Sequence, residues 1–362
     1  MKDTILFGDC RESLKTIATS DTKARMCVTS PPYYGLRDYG TATWIGGDPN
    51  CNHRRDTKVK PENCNTGHKN HDEMSGVGDA IYKTVCPKCG AIRQDSQIGL
   101  EQTPEDYVKE MVKVFSLVRD CLTDDGTLWL NIGDSYYNYR SDGNYPKQTV
   151  SKTRQDLPTS TPVRGNKLEG LKQKDLIGIP WMLAFALRAD GWYLRQDIIW
   201  HKPNPMPESV KDRCTKAHEY IFLLSKSKNY YYDNEAIKEP AKDWGTRDRT
   251  NGKYHNPGSG LAPHSGLTKS YATKNKRSVW SVTVKPYKGA HFATYPEDLV
   301  EPCILAGSEK GDIVLDPFMG SGTTAMVAKK NSRSYLGCEL REEYASLQTA
   351  RISTIPNKLP LY

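Results

Sequence analysis

Short apolar runs alternate with amphipathic segments along most of the chain. Apolar runs closed by Gly, Asp or Pro predict strands, because continuous or period-two apolar patterns of this length suit a half-buried or buried sheet. The predicted strands are 4–8, 25–29, 127–132, 193–200, 219–225, 312–315 and 334–338. Apolar residues at helical spacing predict helices at 10–18, 103–122, 180–189, 296–305, 323–330 and from about 342. Because strands alternate with helices, we predict an α/β fold with a mostly parallel sheet covered on both faces.

Local signals refine this pattern. Thr103 and Pro104 are typical of a helix start, as cap and first helical residue. Residues 124–126, Asp-Asp-Gly, predict a turn just before the strand that follows them. Strands 193–200 and 219–225 are predicted to pair as an antiparallel hairpin at an edge of the sheet.

Three segments lack apolar periodicity. Residues 40–100 are rich in Gly, Asn, Asp, His, Lys and Cys and predict an inserted module. Residues 138–172 are polar and turn-rich and predict a mobile loop, and residues 234–288 predict a further insertion. The core is then predicted to comprise 1–39, 101–233 and 289–362.

Length and charge narrow the class of protein. The 362 residues suffice for one large α/β domain with insertions or for two modest domains. Lys and Arg number 51 against 43 Asp and Glu, a formal net charge of +8, which favours a polyanionic partner without establishing one. The apolar run 177–187 is too short and interrupted to span a bilayer, and the amino terminus lacks the apolar core of a signal peptide. We therefore expect a cytoplasmic protein whose ten cysteines are free thiols or metal ligands.

A turn containing glycines follows the predicted strand 312–315 and opens a helix. It reads Asp316-Pro317-Phe318-Met319-Gly320-Ser321-Gly322-Thr323-Thr324. Its glycines allow close approach of a ligand to backbone, and the helix start favours an anionic group such as a carboxylate. Glu339 lies 19 positions after Gly320 at the end of the next strand, where it can accept hydrogen bonds from ribose hydroxyls. The turn is neither a full GxGxxG fingerprint nor a P-loop, so a tight strand–helix turn is the alternative.

A second turn, Thr29-Ser30-Pro31-Pro32-Tyr33, ends the predicted strand 25–29. Alone it indicates a Pro-rich turn. Together the two turns resemble the catalytic and S-adenosylmethionine (AdoMet) motifs of amino-methylating DNA methyltransferases. Their order is similar to that of the β-class members, whose sheet is circularly permuted. The likeness extends to residues 8–10, 126–135, 191–202, 277–280 and 291–308.

This resemblance implies a Rossmann-like, AdoMet-dependent methyltransferase fold. It also implies methyl transfer to the exocyclic amino group of a base flipped out of double-stranded DNA. That amine is a poor nucleophile because its lone pair is delocalised into the ring. The Ser30 side chain and the Pro31 carbonyl would hold its two hydrogens and localise the lone pair. Pro32 would stiffen the turn, and Tyr33 would offer a face on which the base lies.

The resemblance also implies cofactor contacts. Asp9 would contact the adenine of AdoMet and Glu339 its ribose, although a helix cap is the alternative role for Asp9. The methionine part would be lined by Phe318, Gly320 and Thr323, and its carboxylate bound by the segment around His291 and Phe292. The other residues expected to line the cofactor site are Thr29, Asp316, Ser321, Gly322 and Thr324.

The first position of the catalytic motif bears on the target base. Ser30, preceded by Thr29 and a branched apolar residue, is more similar to the N4-cytosine branch, whereas Asp is more typical of N6-adenine enzymes. We favour N4 of cytosine, with N6 of adenine as the alternative because both amines need the same hydrogen-bond acceptors.

Residues 40–100 carry the spacing of a zinc knuckle, Cys86-Pro87-Lys88-Cys89-Gly90. Two thiolates at this spacing bind zinc, and a second pair of ligands is needed. Cys51 and His53 are the best candidates for that pair. The competitors are Cys64, His68 and His71. A metal would stabilise a segment with little apolar material to fold around, whereas reduced surface thiols are the alternative. A redox role for the CxxC pair is not favoured, because no thioredoxin-like βαβ pattern surrounds it.

Residues 234–288 interleave basic residues with Gly, Tyr and Trp and are expected to form the target-recognition region. Basic side chains would position phosphates and polar ones would read base edges, with 138–172 closing over the duplex. A solvated, charged linker is the alternative. A C5-cytosine enzyme would need a Pro-Cys nucleophile, and Pro302-Cys303 lies in a predicted helix, which argues against that class.

Two other functions stay open at this point. An enzyme that methylates RNA or protein amides would share the cofactor half of the site. A zinc-containing DNA-binding protein without activity would bind no AdoMet. No endonuclease motif accompanies the two turns. We expect a bacterial or phage-encoded enzyme acting at the nucleoid, and leave homodimer formation open.

Overall fold

The computed structural model describes residues 1–35, 43–53, 85–94, 97–137, 168–241, 272–284 and 295–355. The helices are α1 (Cys10–Ala18), α2 (Pro104–Cys121), α3 (Ile179–Ala189), α4 (Glu297–Gly307), α5 (Thr323–Lys330) and α6 (Ala345–Ser353). Short 3-10 turns are found at Glu235–Ile237 and Glu342–Tyr344. Within the described residues, no helix combines the length and apolar character needed to cross a bilayer.

Most strands belong to a single eight-stranded sheet. Its strands are β1 (Thr4–Phe7), β2 (Ala24–Thr29), β5 (Leu122–Ile132), β6 (Tyr193–His201), β7 (His218–Ser225), β10 (Val279–Ser281), β11 (Ile313–Asp316) and β12 (Ser334–Glu339). The order across the sheet is β1-β12-β11-β2-β5-β7-β6-β10. All neighbours pair in parallel except β7, which runs antiparallel to both β5 and β6. The predicted α/β fold with a mostly parallel sheet is confirmed.

Among the described residues, two smaller strand pairs lie outside this sheet. β3 (Thr43–Ile45) pairs antiparallel with β4 (Ile92–Gln94), and β8 (Glu239–Pro240) pairs with β9 (Thr273–Lys274). Both pairs fall within segments predicted to be insertions. The sequence pattern did not predict them, because strands of two or three residues are too short to show a period.

The helices cover both faces of the sheet, as the alternation along each strand requires. On β11, Ile313 and Leu315 pack with the cluster formed by α1, α2 and α3, whereas Val314 packs with the cluster formed by α4 and α5. On β5, Trp129 faces the second cluster and its neighbours Leu128 and Leu130 face the first. The core is thus two apolar layers divided by the sheet.

The predicted pairing of 193–200 with 219–225 is antiparallel as expected, but its position at an edge was wrong. β7 lies between β5 and β6, and β10 covers the outer side of β6. The three residues of β10, Val279–Ser281, pair in parallel with β6, and no local turn connects the two strands. Only the tertiary structure reveals that neighbour.

The turn predicted at 124–126 lies inside β5 rather than before it. The pairing of β2 with β5 passes from Ala24 opposite Leu122 directly to Met26 opposite Thr127, an irregularity in which the intervening residues of β5 are skipped. Residues 124–126 are therefore unpaired with β2 but do not end β5, as in a β-bulge.

Candidate active site

The carboxyl ends of β2, β11, β12 and β1 lie along one edge of the sheet, because these four strands are parallel and adjacent. This arrangement brings the Pro-rich turn after β2 beside the turn with glycines after β11. The hydroxyl of Thr29, the last residue of β2, donates to Asp316 Oδ1, the last residue of β11, at 2.6 Å. Two segments that lie 287 positions apart in the sequence therefore share a buried hydrogen bond.

Asp316 is the centre of a buried polar cluster. Its carboxylate accepts from the Thr324 hydroxyl at 2.5 Å, from the Tyr295 hydroxyl at 3.2 Å and from the Phe318 backbone N–H at 3.0 Å. Burial raises the pKa of this carboxyl, although these hydrogen bonds oppose the shift. The side chain of Asp316 thus holds the two turns together.

The turn Phe318–Gly322, here called the glycine turn, is fixed by side chains from its surroundings. Gly320 and Gly322 have φ of 52° and 82°, in the left-handed region that favours glycine. The backbone N–H of Gly320 donates to Glu339 Oε2 at 2.8 Å, and the Gln348 amide donates to the Gly320 carbonyl at 2.7 Å. The turn is therefore bound to β12 on one side and to α6 on the other.

Ser321 and Thr323 are buried and face α6. Arg351 Nη1 donates to the Ser321 hydroxyl at 2.6 Å and to the Thr323 hydroxyl at 2.9 Å. These hydroxyls are engaged within the protein, so the surface that the glycine turn offers a ligand is mainly backbone.

Glu339 and Asp9 lie at neighbouring strand ends, where Gly8 N–H donates to the Glu339 carbonyl at 2.9 Å. Burial raises the pKa of Glu339 to about 7. Asp9 caps α1 through the Arg11 backbone N–H at 2.9 Å and forms an ion pair with the Arg11 side chain at 2.6 Å. Burial favours a higher pKa for Asp9, but the hydrogen bonds and charge of Arg11 outweigh it and lower the pKa. The capping role that we weighed for Asp9 is therefore present.

The turn Ser30–Tyr33, here called the catalytic turn for the role predicted for it, is held by contacts of Ser30, Pro32 and Tyr33. Pro31 is buried, and Ser30, Pro32 and Tyr33 are half-buried. The Tyr107 hydroxyl donates to the Pro32 carbonyl at 2.9 Å. The Tyr33 ring lies so close to Gly133 that a Cβ built there would be 2.7 Å from its Cε2 atom.

The hydroxyl of Tyr33 reaches a polar cluster that the sequence did not predict. It donates to Glu219 Oε2 at 2.8 Å and lies 3.3 Å from Asn131 Oδ1. Lys202 forms an ion pair with the other oxygen of Glu219. Burial and the charge of Glu219 raise the pKa of Tyr33 well above its usual value.

Several residues of the site were missed by sequence reasoning: Asn131, Lys202, Glu219, Tyr295, Gln348 and Arg351. Asn131 could have been found, since it lies near the end of a predicted strand beside the catalytic one. Glu219 had no such signal, because only the antiparallel insertion of β7 places its first residues at this edge of the sheet. His291 and Phe292 lie outside the described residues.

A separate cluster lies beside the antiparallel β3–β4 pair, where His53 stacks on Trp44. The ligand atoms of Cys51, His53, Cys86 and Cys89 all lie within 4.8 Å of one another. The Cys51 and Cys86 sulfurs are 3.8 Å apart, and Cys89 Sγ is 3.5 Å from His53 Nδ1. Tetrahedral zinc–sulfur bonds of about 2.3 Å place two sulfurs about 3.8 Å apart, so the donor set and its size fit zinc. The competitors Cys64, His68 and His71 lie outside the described residues.

The thiol that a C5-cytosine mechanism would need is unsuitable. Cys303 is buried within α4, and its sulfur lies 3.4 Å from the Leu299 carbonyl. Burial raises the pKa of this thiol, whereas a nucleophilic cysteine needs its thiolate.

The fold and the site define a doubly covered α/β domain. At one edge of its sheet, the glycine turn lies beside the Ser-Pro-Pro-Tyr turn. A family model described as DNA methylase, the N6/N4 methyltransferase model, matches residues 24–350.

Curated relatives agree with that match. The chain is 41% identical over 353 residues to the type II methyltransferase M.SmaI of Serratia marcescens, covering 96% of this chain and 90% of the relative. It is 39% identical over 349 residues to M.Cfr9I of Citrobacter freundii, covering 96% and 87%. The chain belongs to the N6/N4 DNA methylase family.

The likeness to solved structures concerns the fold. A PvuII DNA methyltransferase structure described as cytosine-N4-specific has a TM-score of 0.53 at 15% identity and covers 99% of this chain and 88% of that one. TTHA0409 of Thermus thermophilus, a putative DNA modification methylase complexed with S-adenosyl-L-methionine, has a TM-score of 0.50 at 20% identity and covers 98% and 95%.

Proposed function

We propose that this chain transfers a methyl group from AdoMet to the N4 amino group of a cytosine flipped out of double-stranded DNA. One observation carries the proposal: a hydrogen bond joins Thr29, just before the catalytic turn, to Asp316, just before the glycine turn, and so holds both turns in a single site. Family membership supports methylation of DNA, and type II methyltransferases among its relatives support a site-specific activity paired with restriction.

The described residues fit AdoMet as the bound cofactor. The backbone of the glycine turn, with Phe318, would hold its methionine part. Glu339 would accept hydrogen bonds from its ribose, and Asp9 lies at the neighbouring strand end for its adenine. When bound, AdoMet supplies the methyl group on a sulfonium. The contact of the segment around His291 and Phe292 with the carboxylate stays a prediction.

The catalytic turn would act by orientation and electrostatics. Ser30 Oγ and the Pro31 carbonyl accept the two hydrogens of the target amine and localise its lone pair. Pro32, whose carbonyl is held by Tyr107, keeps this geometry without a covalent step. Tyr33 would contribute a face of its ring on which the base lies.

Cytosine is favoured over adenine on the strength of Ser30 at the first motif position. The printed description of the PvuII enzyme as cytosine-N4-specific is consistent with that choice. N6 of adenine is the alternative, since Ser30 and the Pro31 carbonyl would serve either amine.

The DNA would be bound by basic residues in the described part of 234–288. Lys274, Lys276 and Arg277 lie around Glu239 at 3.9, 3.9 and 3.2 Å, so the cations in and just after β9 are gathered at one place. Two further predictions rest on the sequence. Residues 234–288 would read the target sequence, and residues 138–172 would close over the duplex. We also propose that the sheet is circularly permuted, because the catalytic strand β2 precedes the cofactor strand β11 in the chain.

We propose in addition that Cys51, His53, Cys86 and Cys89 hold a structural zinc ion. Three thiolates and one imidazole form a closed tetrahedral set, which is typical of structural rather than catalytic zinc. The ion would fix the antiparallel β3–β4 pair of the 40–100 insertion.

The proposal is tested by incubating purified protein with labelled AdoMet and duplex DNA of mixed sequence, with RNA and protein as parallel substrates. Label is expected in the DNA alone, and nucleoside mass spectrometry is expected to find N4-methylcytosine. N6-methyladenine would select the alternative base. If the protein neither binds AdoMet nor transfers label, the result would favour the alternative of a zinc-containing DNA-binding protein without activity.

A further inference from the structure

A cluster of polar side chains extends from the catalytic turn into the sheet. We call it the Glu219 network; its members are Ser30, Tyr33, Asn131, Lys202 and Glu219. Tyr33 comes from the catalytic turn, Asn131 from β5, Glu219 from β7 and Lys202 from the residue after β6. None of the last three belongs to either of the two turns that the sequence singled out.

The chemistry of a serine hydroxyl sets the problem that this network addresses. A hydroxyl can donate one hydrogen bond and accept two. To hold a hydrogen of the target amine, the Ser30 oxygen must accept. Its own hydrogen must therefore be directed to another acceptor, or it will compete for the lone pair that is to attack the methyl group.

The neighbours of the Tyr33 hydroxyl determine the direction of its hydrogen bond. Asn131 Nδ2 donates to the Tyr220 carbonyl at 3.1 Å and to Glu219 Oε2 at 3.4 Å, which leaves Asn131 Oδ1 as the atom that faces Tyr33. Glu219 Oε2 at 2.8 Å is likewise an acceptor. Since both neighbours accept, the single hydrogen of Tyr33 is committed to them, and its oxygen is left to accept.

The Ser30 hydroxyl lies 3.5 Å from the Tyr33 hydroxyl, at the outer limit of a hydrogen bond. Contacts of this kind commonly tighten in the reactive complex. The other end of the network is anchored by Lys202, which forms an ion pair with Glu219 Oε1 and lies 4.2 Å from the centre of the Trp200 ring. Lys202 and Glu219 are only 18% and 16% exposed, so solvent screens the pair weakly.

We infer that Glu219 is a positioning residue for methyl transfer. Through Tyr33, its carboxylate directs the Ser30 hydrogen away from the target base and so keeps the Ser30 oxygen an acceptor for the amine. Each hydrogen bond then points the same way, from amine to Ser30, from Ser30 to Tyr33 and from Tyr33 to Glu219. The inference rests on the proposed function, because it assumes that Ser30 accepts from the target amine.

The network orients hydrogens and does not carry a proton out of the site. Burial and the charge of Glu219 raise the pKa of Tyr33 well above its usual value, which keeps the phenol protonated. Glu219 touches neither the substrate nor the cofactor in this scheme. It acts on the reaction only through Tyr33 and Ser30.

The test is a double-mutant cycle on the methyl-transfer rate. Glu219→Gln, Tyr33→Phe and Ser30→Ala are compared singly, and the first two also in the Ser30→Ala background, by single-turnover transfer of labelled methyl to duplex DNA. Glu219→Gln and Tyr33→Phe are each expected to lower the single-turnover rate constant about 10- to 100-fold, less than deletion of a full transition-state hydrogen bond would. The affinity for AdoMet and the KM for DNA are expected to stay within about threefold of wild type, because the lost interaction orients only the reacting amine.

In the Ser30→Ala background, neither Glu219→Gln nor Tyr33→Phe is expected to lower the rate further. Equal losses with and without Ser30 would overturn the inference, because Glu219 would then act by another route. Wild-type activity of the Ser30→Ala variant would instead contradict the proposed function. Tyr33→Phe keeps the ring, so the cycle stays interpretable if Glu219→Gln folds poorly.

A matched control is Glu301→Gln on α4. Glu301 also accepts from an asparagine amide, Asn331 at 3.1 Å, and forms an ion pair with Lys330 at 3.4 Å, on a helix outside the Glu219 network. It is expected to leave kcat unchanged. Two variants test the anchoring role of Lys202. Lys202→Arg is expected to retain most of the methyl-transfer rate, whereas Lys202→Met is expected to lose as much of it as Glu219→Gln does. Equal rates for both variants would contradict the anchoring role.

Discussion

The glycine turn and the catalytic turn are neighbours at one edge of the sheet, but they are held differently. Side chains of the glycine turn and its surroundings are buried and hydrogen-bonded inward: Asp316 is 0% exposed and Thr323 is 3% exposed. Ser30 and Tyr33 of the catalytic turn are half-buried, and their polar contacts run to strand-end residues at the same edge. A change in the first region should therefore act on stability and cofactor binding, and a change in the second on the chemical step.

The largest effect is expected from Asp316→Ala. It would leave the hydroxyls of Thr29 and Thr324 and the N–H of Phe318 without their buried acceptor. We expect a loss of about 3–5 kcal/mol in the free energy of unfolding and no measurable binding of AdoMet. Urea denaturation and calorimetry check both. Asp312→Ala is the control: this carboxylate forms a partly exposed pair with Arg25 at 3.1 Å, and its loss should cost about 1 kcal/mol or less.

The second region is tested by Ser30→Ala. Because it removes an acceptor used in the transition state, kcat is expected to fall about 100- to 1000-fold. The free energy of unfolding should change by less than about 1 kcal/mol, and the Kd for AdoMet should be unchanged. Ser227→Ala, in the segment after β7 at the opposite edge, should retain full activity. A large loss of stability in Ser30→Ala would remove the contrast between the two turns.

Titration of Glu339 sharpens the contrast further. Burial raises its pKa from 4.5 to about 7, so the stability that the protonated form contributes is complete below pH 4.5 and is lost as the pH rises to 7. The loss is on the order of 3 kcal/mol. The ionised carboxylate is the better acceptor for ribose hydroxyls, so AdoMet should bind more tightly at pH 8 than at pH 6. Glu339→Gln should flatten both profiles, measured by denaturation and calorimetry, and a persistent pH dependence would assign it to another group.

The smallest global effect is expected at the metal cluster. The β3–β4 pair forms a sheet of its own, so its loss should change the free energy of unfolding of the core by about 1 kcal/mol or less. Wild-type protein should contain one zinc per chain by atomic emission, and the Cys86→Ser variant should contain much less. In that variant, hydrogen exchange of residues 43–53 and 85–94 should be faster than in the wild type. The exposed Cys214→Ser variant should keep its zinc. Metal-free wild-type protein would contradict the zinc assignment.

The order and class of the core elements could be predicted because the information for them is local. Helix α2 begins after the predicted cap Thr103, whose hydroxyl accepts from Asp106 N–H at 3.1 Å, and continues to Cys121. The strands that precede both turns end within about one residue of their predicted ends. Caps, glycines and apolar periods act within a few residues of themselves, so they are visible in sequence.

The neighbourhood of the site was harder to predict because it depends on strand order. The edge position assigned to the β6–β7 pair was wrong, and that error hid Glu219, which reaches Tyr33 only because β7 lies between β5 and β6. The cluster of Cys and His residues was easier to predict: a CxxC pair is visible locally, and the structure places Cys51 and His53, the partners favoured for it, beside that pair.

The sequence alone indicated the alternation of helices and strands, the two turns of the candidate site and the four Cys and His residues that the structure brings together. It did so because period, glycine, proline and cysteine spacing are properties of short segments. Only the tertiary structure decided that Thr29 and Asp316 share a hydrogen bond, that Ser321 and Thr323 face Arg351, and which residues direct the hydrogen of Tyr33. Each of these contacts joins segments that are remote in the chain, and the pairing of strands across the sheet sets their distance.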